Sequence, residues 1–180
     1  GTIAGVVQGT GNGSGGNFSS SNAKDFNFEG LGILNATVSA SYTENQSFDG
    51  AVSYSIGDVV NFSTDYDASY DEQPNLSQLA GLYSGSVASS ADIGSATVAI
   101  TSGGVITGSG LSGCTGSGSI APRPSGNVFD ISITFIGIRC ENGTVTVTGI
   151  AYLNAIDDLL YVAALNGSRT DGFLFVGQTP

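Results

Sequence analysis

Apolar and polar side chains take turns along much of this chain, and the period is two. Over residues 35–43 the even positions are Ala36, Val38, Ala40 and Tyr42, and every odd one is Asn, Thr or Ser. Over 48–56, Phe48, Val52, Tyr54 and Ile56 share a face; over 59–66, Val60, Phe62 and Tyr66 oppose Asn61, Ser63 and Asp65. Such alternation marks strands with one face on a core and one in water, the habit of antiparallel sheets. Gly57-Asp58, with Gly first, suits a two-residue type II′ hairpin, and Asn45-Gln46 is a weaker turn of the same length. Upstream, residues 2–8 alternate weakly and read as a first strand, and Phe26 and Phe28 mark a short one. Between them the Gly/Asn/Ser-rich stretch 9–16 and the polar stretch 18–22 read as a flexible loop.

The pattern resumes after an acidic segment, 65–74, that ends in Pro74. Residues 75–80 carry a short helix signal: Asn75 as N-cap, Leu76 and Leu79 three apart, Gly81 as a stop. A helix this short is expected to cap the end of a barrel. Strands follow at 82–87, at 95–101 with Ala96, Val98 and Ile100 on one face, and, after Gly103-Gly104, at 105–109. Five more are expected at 114–120, 128–136, 144–153, 159–165 and 172–176, separated by turn clusters at 122–127, 141–143, 154–157 and 166–167. The expectation is an all-β antiparallel meander of about nine to eleven strands. A closed or nearly closed barrel is preferred to a β-sandwich, because closure removes edges that so many uncharged strands would expose. One β domain over 1–180 is expected, with 1–74 and 75–180 as its natural subdivision. Leu159–Val162 and Phe173–Val176 are apolar on both faces, so an N-terminal segment, the helix or a second subunit must cover them.

Composition agrees with this class. Charged residues are 11% of the chain, Gly contributes 28 residues, and Met, Trp and His are absent. The net charge is −11, from fifteen acids against Lys24, Arg123, Arg139 and Arg169. No basic face can be assembled, which excludes nucleic-acid binding through phosphate neutralisation and a polybasic contact with anionic lipid. Without His, the two cysteines read as one disulfide rather than half a zinc site. The hairpin pattern puts Cys114 and Cys140 near the ends of adjacent strands, and closing that loop contributes ~3–4 kcal/mol in the chain-entropy model. A disulfide implies an oxidising compartment, periplasmic, outer-membrane-associated or extracellular. No apolar run reaches the ~20 residues a membrane helix needs.

Catalytic signals are sparse. Gly11-Gly13-Gly16 and Gly108-Gly110-Gly113 match Gly-x-Gly-x-x-Gly, but neither leads into a helical pattern that would place a helix N-terminus at a phosphate. Absence of His removes Ser-His-Asp and Cys-His arrangements. Asp157-Asp158 offer adjacent carboxylates in a turn; a glycosidase would need two set apart across a cleft. Asp65, Asp67, Asp71 and Glu72 form the densest acidic group and the candidate calcium loop, though the EF-hand spacing is not met. Arg123 and Arg169 are candidate anchors for an anionic ligand group through their forked donors. Seven Asn-x-Ser/Thr sequons, at Asn17, Asn35, Asn45, Asn61, Asn75, Asn142 and Asn166, would be glycan acceptors in a eukaryotic secreted protein.

The runs Leu79-Ala-Gly-Leu-Tyr-Ser-Gly85, Gly113-Cys114-Thr115, Pro122-Arg123, Thr148-Gly-Ile-Ala-Tyr152 and 163–177 resemble small all-β exported proteins of Gram-negative bacteria. Many of these are lipoproteins without an assigned activity. The resemblance covers about residues 79–177 and rests on turn and strand residues, so it carries no catalytic role. It implies export, with a lipid anchor on a cysteine upstream of Gly1. The reading that results is a non-enzymatic envelope barrel, without a cofactor, that binds a small apolar ligand or an envelope protein. A surface adhesin or pilus-like subunit is the alternative, and it requires an incomplete sheet that accepts a strand. A homo-oligomer through the C-terminal strands would account for their second apolar face.

Overall fold

A computed structural model describes residues 5–27, 32–89, 93–110, 112–140 and 143–180. The expectations placed on residues 2–4, Phe28, Glu141 and Asn142 lie outside that set. The chain divides into two compact units, Gly1–Ser69 and Tyr70–Pro180. The described residues form fourteen strands, more than the nine to eleven expected. Much of the surplus lies in the Gly- and Ser-rich beginning of the chain.

The first unit is an open antiparallel sheet. Its strands are β1 (Gly5–Gln8), β2 (Asn12–Ser14), β3 (Asn17–Asn27), β4 (Gly32–Thr43), β5 (Ser47–Tyr54) and β6 (Val59–Asp65). They run in the order β1-β3-β4-β5-β6, with β2 also on β3. The period-two reading of β4, β5 and β6 holds: Val38 lies opposite Val52, Tyr42 opposite Phe48, and Val52 opposite Val60. Phe18, Phe48 and Phe62 make a row across that apolar face, with ring centroids 5.5 and 5.2 Å apart. Small residues on the intervening positions, Ala40 and Gly50, let the rings meet.

Three loop readings differ from the structure. The β4–β5 hairpin does not turn on Asn45-Gln46: the Gln46 N–H bonds to the Thr43 carbonyl, which centres the turn on Glu44-Asn45, with Asn45 at φ 54°. The β5–β6 hairpin does not turn on Gly57-Asp58. Gly57 donates its N–H to the Tyr54 carbonyl and the Tyr54 N–H bonds to the Asp58 carbonyl. Gly57 at φ 99° therefore follows a turn centred on Ser55-Ile56, the longer hairpin with a glycine bulge. The supposed flexible loop over 9–22 is largely strand. Gly15 and Gly16, both at positive φ, make the two-residue turn between β2 and β3. Ser19 and Ser20 are held in register by Ser39 and Val38 of β4, with a bulge before Ala23. A strand of poor propensity is carried here by a well-patterned neighbour.

The second unit is a closed barrel. A short helix α1 (Leu76–Leu79) leads into β7 (Gly81–Ser89), β8 (Ile93–Ile100), β9 (Val105–Gly110), β10 (Thr115–Pro122), β11 (Phe129–Ile136), β12 (Val145–Asn154), β13 (Leu159–Asn166) and β14 (Gly172–Gln178). Each strand pairs with the next, and β14 closes on β7 with Phe175 opposite Val87 and Gly177 opposite Gly85. The expected strand positions from residue 82 onward match these. Asn75 caps α1 by accepting the Ser77 N–H at 2.9 Å.

Helix α1 does not lie over the apolar outer strands. Leu79 is fully buried in the cluster that fills the barrel, with Leu76 packed against it. It plugs the end of the bore where Tyr83, Ile100, Ile120, Phe129 and Leu160 also meet. The Tyr83 hydroxyl donates to the Leu79 carbonyl at 2.9 Å and ties the plug to β7.

Candidate functional site

An eight-stranded barrel has a bore that side chains can just fill, or that can hold one small ligand. This barrel is filled at one end and hollow toward the other. The plugged end is packed with the large residues named above. Toward the other end, the inward positions of β8, β9 and β10 include Gly94, Ala96, Gly108, Gly110 and Gly116, and these small residues leave a cavity of about 220 Å³. Its walls are Val98, Ile106, Ile133, Val147 and Phe175, with Phe135 and Phe173 edge to face at 5.3 Å nearer the mouth. No Cβ built at Gly94 would meet another atom within 4 Å, so the space beside it is open.

The mouth is polar and braced. Cys114, in the β9–β10 turn, and Cys140, in the β11–β12 loop, both line the cavity and are joined by a disulfide with Cα atoms 4.6 Å apart. The bond implies a non-reducing compartment. No helix is long and apolar enough to cross a membrane among the described residues. Across the opening, Asn166 organises the β13–β14 turn: its side-chain oxygen accepts the Thr170 N–H at 3.0 Å, and its own N–H bonds to the Asp171 carbonyl at 2.9 Å. Asp171 lines the cavity and is only 8% exposed, with its carboxylate accepting the Gly172 N–H at 2.7 Å.

The residues singled out in the sequence are scattered. Arg123 is at the plugged end, paired with Asp130 at 2.7 Å on the surface, while its backbone N–H closes the 123–128 loop. Arg169 takes a positive φ of 55° in the β13–β14 turn at the mouth. Asp65 ends β6, Asp67 accepts the Ser69 N–H, and Asp71 and Glu72 are exposed beyond. The hydrogen bonds from Ser69 hold the Asp67 carboxyl below its usual range. Among the described residues no group of three or more Asp, Glu or Cys side chains is gathered where it could hold a metal ion. Asp157 and Asp158 are bound into a turn, with Asp157 accepting from the Asn154 amide and Asp158 from the Thr179 hydroxyl. Lys24 is within β3, opposite Asn35.

The cavity-forming glycines have a signature of their own in the sequence. Gly108-Ser-Gly110 repeats glycine at period two within a strand, which strips one face of side chains. In the second Gly-x-Gly-x-x-Gly match, Gly113 at φ 82° serves the turn and donates its N–H to the Gly110 carbonyl. No protein family, curated protein or solved structure matches the chain.

Proposed function

We propose that this is an exported, non-enzymatic binding protein of the bacterial envelope whose barrel holds one small apolar ligand. The observation that carries the reading is the apolar cavity of about 220 Å³, plugged at one end by Leu79 and opening past the disulfide at the other. An apolar cavity of about 150 Å³ suffices for benzene, and drug-sized ligands occupy roughly 300–1,000 Å³. The ligand is accordingly a single substituted ring or a short aliphatic chain, with its polar group at the Asn166 and Asp171 rim. The disulfide and the resemblance to exported envelope proteins support a periplasmic or extracellular location.

Gly94→Leu tests the reading because Gly94 lines the cavity and a Cβ there meets no other atom within 4 Å. Titration calorimetry with octan-1-ol should show saturable binding to the native protein and none to the variant, with thermal stability kept or raised. Equal binding by both proteins would remove the cavity as the site.

A second reading, a surface adhesin or pilus-like subunit, draws support from the open sheet of the first unit, whose β6 lies at the end of the strand order. It predicts that an added peptide of β-strand character pairs with that edge. Polymers that lengthen with concentration would favour it over a discrete carrier.

A further inference from the structure

We propose that the first unit pairs with a second copy of this chain along β6, antiparallel and about a two-fold axis at Phe62. Strand β6 ends the sheet order, and among the described residues only β5 pairs with it. Six of its seven residues are exposed, Val59 and Val60 by 57% and 53%. Natural edge strands are shielded by lysines, prolines or bulges. The sequence Val59-Val-Asn-Phe-Ser-Thr-Asp65 has no Lys or Pro, and its pairing with β5 runs without a register shift.

The hydrogen-bonding parity fixes which groups face outward. Tyr54 bonds Asp58, and Tyr66 donates its N–H to the Gln46 carbonyl, so hydrogen-bonded pairs fall on the even residues of the segment. Val60, Phe62 and Thr64 therefore turn their backbone groups toward β5. Those of Val59, Asn61, Ser63 and Asp65 point to the open edge. Pairing β6 with a copy of itself about Phe62 puts Asn61 opposite Ser63 and Val59 opposite Asp65. All the outward groups then find partners.

Side chains agree with this register. On the apolar face Phe62 meets its symmetry mate at a non-hydrogen-bonded position, where side chains approach most closely. The row Phe18–Phe48–Phe62 continues into the same row of the second copy. The single charge on the strand, Asp65, faces Val59, so no like charges are opposed. A two-fold contact uses the same patch on both copies and closes at the dimer.

Asn61→Cys and Ser63→Cys test the register, because each is exposed and neither residue faces itself. Each variant alone should stay uncross-linked through these positions, and an oxidised equal mixture should give a covalent dimer. Asn61→Pro removes an outward N–H and leaves the β5 ladder intact. Sedimentation velocity should show a concentration-dependent dimer for the native chain and at least tenfold weaker association for Asn61→Pro, with an unchanged melting profile. A native chain that stays monomeric at its highest soluble concentration would overturn the proposal. So would a dimer indifferent to Asn61→Pro, absence of the mixed cross-link, or open-ended polymers.

Discussion

Glycine has opposite meanings at neighbouring positions of the barrel. A Cβ at Gly149 would fall 1.9 Å from the Ala163 carbonyl oxygen, and one at Gly118 the same distance from that of Ser132, so adjacent strands lie against the bare backbone there. Gly94 faces empty space. Gly149→Ala should therefore cost about 1–3 kcal/mol, read as a lower denaturation midpoint, while Gly94→Leu costs nothing. Tyr83 sets an alkaline limit: burial first, then the Asp158 carboxylate, raise its phenol above the ordinary 10.0. The folded chain holds that proton more tightly than the unfolded one. Its stabilising contribution is complete below about pH 10 and declines as pH rises through the folded value. In Tyr83→Phe the loss of stability above pH 10 should be shallower than in the native protein. The lost hydrogen bond to Leu79 should lower stability by about 1 kcal/mol at neutral pH.

Among the elements, the short helix and the disulfide do most to shape the cavity, from opposite ends. Leu79→Ala removes a fully buried side chain from the plug and should cost about 2–5 kcal/mol by chemical denaturation. Reducing the Cys114–Cys140 bond, which spans 26 residues, should cost about 3.5 kcal/mol on the chain-entropy account. A midpoint unmoved by reduction would show that the mouth is braced by its strands alone. Strands such as β11 and β12 were legible because Ile131, Ile133 and Val147 alternate with Ser132, Thr134 and Thr146. The helix was legible from Asn75, Leu79 and Gly81. The first part of strand β3 was not, because Asn17–Asn22 is all polar but for Phe18, and its register comes from Val38 and Ala40 on another strand; Phe26 near its end was marked as strand. The plug was legible as a short helix capping one end of a barrel, and the structure adds that Leu79 enters the core there.

At the scale of the whole molecule, a hydrophobic period of two belongs equally to an open sheet and to a barrel. Closure depends on β14 meeting β7, a pairing between residues about ninety positions apart that no local pattern encodes. The two Gly-x-Gly-x-x-Gly matches illustrate the point. One lies in a hairpin of the open sheet, and the other hollows the barrel wall and turns the chain at its mouth. The disulfide implies a non-reducing compartment, and on the proposed reading the cavity limits the size of the ligand.

The most direct test is methyl-resolved NMR of the native protein during titration with octan-1-ol. The hollow half of the bore should respond: methyl signals of Val98, Ile106, Ile133 and Val147 shift saturably, and those of Leu79 and Leu160 in the packed half stay in place. Signals that do not move at saturating octan-1-ol, or that move chiefly outside the barrel, would contradict a ligand-holding cavity.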